Sequence, residues 1–375
     1  MKRRICYLTG TRADFGLMKS TLHAIAADPR LQLELIVTGM HLSERYGNTV
    51  AEIETGGFDI AARIPVELGD ASAASMAINL GSMLLGFVPV LQAMKPDLLL
   101  LLGDRGEMLA GALAAIHLGI PVAHLHGGER SGTVDEPVRH AITKLAHLHL
   151  VATSEARDRI VRMGERGEVV HVVGAPGVDG LVETPRPDRA ALCQEAGFDP
   201  ARPVALMVFH PVLQEADDAA RQVREVLSAA EGLQVLALMP NSDAGSEAVR
   251  KELNMAAEGG RVSLRTHLRR EDYIGWLANA DVLFGNSSSG IIEAASFGTP
   301  VVNIGTRQNL RERNSNVVDV PVEAGAVRAA LSAAVANGRH VPANVYGDGQ
   351  AGRRIVELLA TTQLNASLMA KCNAY

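Results

Sequence analysis

The stretch HLHGGERSGTVDEPVRHAITKLAHLH, residues 124–149, holds five of the chain's twelve histidines, together with Glu129, Asp135 and Glu136. Three kinds of chemistry fit such a mixture: a metal centre, an acid/base cluster, or the polar side of one helix. A helical zinc site needs two histidines one turn apart, as in H-E-x-x-H, whereas His140 and His147 are seven apart. No metal is therefore expected; histidines working beside carboxylates are. Pro137 lacks an N–H and is tolerated only in a first helical turn, so the spacing predicts a helix capped by Asp135, with Glu136 first and Pro137 second. Glu136 is then left over for chemistry. Val138, Ala141, Ile142, Leu145 and Leu148 form the stripe expected to face a sheet.

The other candidates stand where apolar runs stop. Asp104 and Arg105 follow five consecutive leucines. A carboxyl group there is poorly solvated, and desolvation raises its pKa toward the range useful for proton transfer; the plain alternative is a cap on the next helix. In LTGTRADFG, Arg12 and Asp14 stand at a turn opening a helix, where an oxyanion would find backbone N–H groups and a guanidinium. The same residues read equally well as a surface charge and a helix cap. The spacing is not G-x-G-x-x-G, so a hydride-transferring dinucleotide fold is not supported. His41, His210, Asn241 and Asp243 each follow a further apolar run. Finally, GNSSSGIIEA predicts a strand ending at Gly285, a turn of Ser287, Ser288 and Ser289, and a helix from near Gly290. Hydroxyls and free helix N–H groups would cradle a diphosphate without a metal. Glu293 would lie within reach of ribose hydroxyls, with Arg307, Arg311 and Arg313 as cations after the next run.

These residues need elements to hold them. Apolar runs such as RICYLTG, LQLELIVTG, LHLVATS, PVALMVFHP and TPVVNIGT are continuous rather than alternating, which marks strands covered on both faces and hence parallel, with crossover helices. Two such sheets are predicted, separated by a Gly/Pro-rich linker at 174–192. In open parallel sheets ligands sit beyond the carboxyl ends of the strands, which is where every candidate above falls. The 375 residues exceed what one core usually supports. A net charge of −6 without basic runs, and 3% aromatics, argue against nucleic acid and an anionic membrane as partners. Three dispersed cysteines and an amino terminus too polar for an export signal point to a reducing cytoplasm. Residues 71–94 carry no charge, and their serines, asparagine and proline suggest a helix buried on most sides, against its own sheet or a second copy, rather than a membrane span.

Together GTRADFG, VTGMH, GDRGEM, the 124–149 stretch, FHP, NSDAGS, GNSSSGIIEA and NIGTRQNLRER resemble the UDP-N-acetylglucosamine 2-epimerases. They look most like the hydrolysing branch that makes free N-acetylmannosamine for sialic acid synthesis. The resemblance runs in order from about residue 4 to about residue 360. It implies an α/β chain of two Rossmann-like domains in a GT-B-like arrangement: residues 1–178, then a UDP-binding domain at 179–348, with a helix at about 349–375 packing back on the first. It implies Asp104 and Glu136 as catalytic carboxylates, with His210. Arg12, Ser288, Ser289, Gly290, Glu293 and Arg311 match its nucleotide-binding positions. Where non-hydrolysing relatives read HVEAG, this chain reads HLHGG, which puts His126 in place of an acid and leaves open which group performs which proton transfer.

The hydrogen on C2 of such a sugar is barely acidic, so UDP must leave first. Positive charge at C1 then acidifies it, anti elimination gives a 2-acetamidoglucal, and water adds to C1. Two acid/base groups across the ring, Asp104 and Glu136, serve a proton that leaves one face and returns on the other, with His126 or His41 as a third participant. No cofactor is required. The expected substrate is UDP-N-acetylglucosamine; the alternative is the UDP-2,4-diacetamido-2,4,6-trideoxy sugar of legionaminic acid synthesis. A GT-B glycosyltransferase or a silent nucleotide-sugar sensor would share the architecture. A homodimer or homotetramer is expected.

Overall fold

The computed structural model describes residues 2–68, 72–131 and 134–375. Each continuous apolar run is a strand. The first sheet contains β1 (Arg3–Thr9), β2 (Leu31–Thr38), β3 (Ile60–Ile64), β4 (Leu98–Leu102), β5 (Val122–Leu125), β6 (Leu148–Val151) and β7 (Val170–Val172). All pairs are parallel, in the order β3-β2-β1-β4-β5-β6-β7. The second contains β8 (Val204–Val208), β9 (Gln234–Leu238), β10 (Ser263–Arg265), β11 (Val282–Gly285), β12 (Val301–Ile304) and β13 (Val317–Val320), also parallel, in the order β10-β9-β8-β11-β12-β13. Strand order reverses between β1 and β4, and again between β8 and β11. Helices leave opposite faces at those points and open a crevice at the strand ends.

Two strands escape the apolar-run reading. β3 and β10 are sheet edges, and β3 alternates half-buried with exposed residues where the central strands are buried throughout. An edge strand covered on one side has no need of a continuous run.

The second domain does not end the chain. Asp179 accepts hydrogen bonds from the N–H groups of Ala351 and Gly352 at 2.9 and 2.5 Å, fixing the start of the helix Ala351–Thr361. Ile355 and Leu359 of that helix are fully buried with Phe15, Met18 and Leu22 of the helix Arg12–Ala27, inside the first core. This helix therefore returns to the first domain.

The uncharged stretch is a helix from Ala73 to Met94, capped by Ser72; Ala71 lies outside the described residues. Among the described residues it is the one helix long and apolar enough to cross a membrane by length and composition. Burial on most sides does not hold within the single chain. Met83, Phe87 and Leu91 are buried, while Ile78 is 67% and Leu85 78% exposed. The reason is geometric: a helix packed against one neighbour buries only one stripe, here facing the helix Gly106–His117.

Candidate active site

Asp104 leaves the end of β4 and meets two arginines. Arg139, fully buried in the helix Asp135–Leu145, donates to its Oδ2, and Arg311 from the second domain stands 3.9 Å from the same oxygen. Burial alone would push this carboxyl up, as the sequence suggests. The charges of Arg139 and Arg311 outweigh it and hold the pKa at about 2. Asp104 is therefore an anion at neutral pH. Arg139 also grips the Glu129 carbonyl at 2.9 Å, so one guanidinium orients both the acid and the turn that follows β5.

The helix start differs from the expected one. Asp135 is the first helical residue rather than the cap, which shifts Glu136 and Pro137 by one position; Gly132 and Thr133, just before, lie outside the described residues. The two acids have different partners. Glu136 accepts from the Ser131 N–H at 2.8 Å and lies 3.6 Å from His140, its own helical neighbour. Asp135 stands 4.0 Å from Arg307 of the second domain. Burial, together with the negative charge of Asp104, raises its pKa to about 6. Asp104 and Asp135 are thus carboxylates that sense each other. The expected stripe is largely kept: Ile142 is buried and Val138 and Leu145 pack against the same core, with Arg139 and Thr143 buried besides, while Leu148 already belongs to β6.

The five histidines go to five different partners. His124 contacts the Gly103 carbonyl at 2.7 Å, His140 lies against Glu136, His147 accepts from the Val122 N–H, and His149 pairs with Glu165 at 3.2 Å. His126 is the one aimed at the cleft chemistry. Its Nδ1 meets Glu129 Oε1 at 2.5 Å, and Arg311 pairs with the other oxygen of Glu129. Its backbone has φ of +60°, a left-handed conformation that a side chain adopts only where surroundings enforce it. Burial lowers its pKa to about 3, so the ring is neutral.

Three other expectations divide. Arg12 has a buried Nη1 with no hydrogen-bond partner and only a 4.0 Å approach to Glu52, which suits an incoming anion. Asp14 is instead part of a capping box with Thr11 and accepts from the N–H groups of Gly10 and Thr11 at 3.1 and 2.7 Å. The cap reading holds for it. His41 is also withdrawn from the cleft: its ring nitrogens meet Thr9 and Thr49 at 2.9 and 2.8 Å, and burial lowers its pKa to about 4.

From the second domain, His210 follows β8, accepts at Nδ1 from the Asn241 N–H at 3.3 Å, and is neutral because burial lowers its pKa to about 3. Asn241 donates to Asp243 at 2.5 Å, and Asp243 faces Arg105 of the first domain at 3.6 Å. The serine turn folds as expected through Ser287, whose hydroxyl caps the helix Ser288–Ile292, with Ser289 bonded to Tyr273. Gly290 has a different task from the expected one. A Cβ there would lie 2.9 Å from Leu283 and Val301, so the glycine serves close helix-to-sheet packing. Glu293 is buried and its Oε1 pairs with Arg270. Arg307 braces the Asn286 carbonyl at 3.1 Å, whereas Arg313 turns away to Asp319.

The arrangement is a crevice in which Asp104, Asp135 and Glu129 of the first domain meet Arg307 and Arg311 of the second. Sequence reasoning does not single out Asp135, Glu129 or Arg139 for the site: it makes Asp135 a helix cap and gives Glu129 and Arg139 no role. A match to the UDP-N-acetylglucosamine 2-epimerase family spans residues 23–360. The UDP-N,N'-diacetylbacillosamine 2-epimerase (hydrolyzing) of Legionella pneumophila is 49% identical, with 100% of each chain covered. The UDP-N-acetylglucosamine 2-epimerase of Neisseria meningitidis is 33% identical over 93% of this chain and 92% of its own. Among solved structures, UDP-GlcNAc 2-epimerase from Neisseria meningitidis bound to UDP-GlcNAc superposes with a TM-score of 0.78 at 17% identity, covering 95% of this chain and 99% of that one. With that architecture, the family match and a full-length relative at 49% identity, the chain belongs to the UDP-N-acetylglucosamine 2-epimerase family.

Proposed function

We propose that this chain is a hydrolysing 2-epimerase of a UDP-linked 2,4-diacetamido-2,4,6-trideoxyhexose, releasing UDP and the free sugar inverted at C2. The observation that carries the reaction class is the pair Asp104 and Asp135, one held anionic near pKa 2 and the other raised to about 6, facing Arg307 and Arg311. The substrate follows the relative that matches over its whole length, the diacetylbacillosamine enzyme.

The diphosphate engages Arg12, Arg307, Arg311 and the serine turn, whose charges and dipoles stabilise it as the C1–O bond breaks. Anionic Asp104 stabilises the positive charge that develops at C1. Asp135, with a pKa near neutrality, accepts the C2 proton, now acidified, and anti elimination gives the glucal. Arg311 cannot serve diphosphate and Asp104 equally, so substrate binding draws it off and raises the basicity of Asp104. Asp104, once protonated from solvent, delivers that proton to the opposite face of C2; the C1–C2 double bond opens, water adds to C1 and gives up its proton to the regenerated Asp104 carboxylate, and Asp135 releases to solvent the proton it accepted. UDP-N-acetylglucosamine remains the second reading, supported by the Neisseria meningitidis relative.

Turnover in deuterium oxide tests the scheme. The product must carry solvent deuterium at C2, and retention of the original hydrogen ends the proposal. Incubating each UDP-sugar separately, with mass detection of the free sugar, separates the two substrates.

A further inference from the structure

A small cavity of about 70 Å³ opens beside the turn that carries Asp104, where Arg105 faces Asp243 across the cleft. Its far wall is apolar: Leu68, Met76, Leu80 and Met83 line it. Three of these come from the helix Ala73–Met94, and with Asn79 they occupy positions i, i+3, i+4 and i+7, a single stripe aimed at the site. Resting on the reading that the substrate is a UDP-sugar, we infer that this cavity is the subsite for the C4 and C6 substituents and selects a 4-acylamino-6-deoxy sugar over one bearing hydroxyls.

Size, polarity and position all point the same way. The cavity is small, suited to the few heavy atoms of an acyl or methyl group rather than to a second ring. The mechanism sets C1 and C2 at Asp104 and Asp135 with the diphosphate toward Arg307 and Arg311. The remaining ring positions project away from those arginines, toward Arg105. A methyl at C6 and the methyl of a C4 acetamido group find the side chains of Met76, Leu80 and Met83 there. The amide has its own partners on the polar rim, with Asn79 and Arg105 to donate to its carbonyl and Asp243 to accept its N–H. A C6 hydroxyl pressed on thioethers and leucine would lose its water without gaining a partner, which disfavours the hydroxylated sugar. Methionines adapt to irregular substituents, which suits a wall that shapes itself around an acyl group.

The test compares kcat/KM for UDP-2,4-diacetamido-2,4,6-trideoxyglucose and for UDP-N-acetylglucosamine in the wild type, Met76→Gln and Met76→Phe, with thermal unfolding and UDP titration as folding controls. Met76 is only half-buried, so both variants are expected to fold. Each should cut the preference for the diacetamido sugar by about tenfold or more, the first by removing apolar contact and the second by filling the space, as one or two misplaced groups do in a hydrophobic pocket. Equal losses on both substrates, or an unchanged ratio in folded variants, overturn the subsite. A wild-type preference for UDP-N-acetylglucosamine overturns the substrate assignment instead, and turnover of neither sugar by a chain that still binds UDP overturns the enzymatic reading.

Discussion

Arg307 of the second domain stands 4.0 Å from Asp135 of the first, across a crevice that no covalent element spans at that point. The pairing makes the acid part of an interdomain contact as well as a titrating group. Its partner acid Asp104 is tied across the same crevice by Arg311. The anion-binding arginines and the proton-transfer acids are therefore held against one another by the same interdomain contact.

Asp135→Asn and Asp104→Asn should each lower kcat by about 10² to 10⁴ while leaving UDP affinity within a few-fold, because a positioned acid/base group contributes that much. Glu136→Gln should lose less than about tenfold, since its carboxylate is engaged at Ser131 and His140. Steady-state UDP release and calorimetric UDP titration measure both quantities. Greater damage from Glu136→Gln than from Asp135→Asn would falsify the proposal that Asp135 is the accepting base.

The pKa of Asp135, raised from 3.8 to about 6, has consequences of opposite sign for activity and stability. As the accepting base it must be ionised, so kcat/KM should rise with pH through about 6 and flatten above it, and Asp135→Asn should erase that limb. In the unfolded chain the group loses its proton near 3.8, so between 3.8 and 6 the folded state holds a proton the unfolded state has lost. The stability contribution then falls as pH rises through that window. Asp104 does the reverse: its depressed pKa contributes stability above 3.8 that is lost as pH falls toward about 2. Urea unfolding from pH 2 to 7, wild type against each variant, reads the two slopes.

Arg139→Met should destabilise the chain by on the order of 3 kcal/mol, because it removes the cation paired with Asp104 and strips a donor from the Glu129 carbonyl. Equilibrium unfolding in urea gives the difference, and a value below about 1 kcal/mol would mean that Arg311 alone compensates Asp104.

Gly290→Ala separates packing from ligand contact. Its new Cβ meets Leu283 and Val301 at 2.9 Å, an overpacking expected to cost about 1–3 kcal/mol. Melting temperature should fall while UDP affinity in the folded protein changes little. A large loss of UDP affinity with unchanged melting would return the glycine to the diphosphate.

How much of this was written in the sequence follows from how each feature is encoded. Strands buried on both faces have to be apolar throughout, so the nine interior strands stood out as runs, as did the edges β7 and β13, and their ends located Asp104, His210 and the serine turn. β3 and β10 carry no such run because an edge needs none. Asp135 and Glu136 show the sharper limit. Successive helical residues point about 100° apart, so a one-residue difference in the helix start, Val134 rather than Asp135 as cap, changes which way each acid is expected to point. Arg139 is assigned no role by the local pattern; its burial makes sense only once β4 brings Asp104 beside it. Local patterning therefore determined the sheets, the crossover helices and the level at which chemistry sits. Which charges neutralise which, and hence which carboxylate is anionic and which near neutrality, was decided by contacts between residues 35 to more than 200 positions apart, because the energy of a buried charge depends on its neighbours in space rather than along the chain.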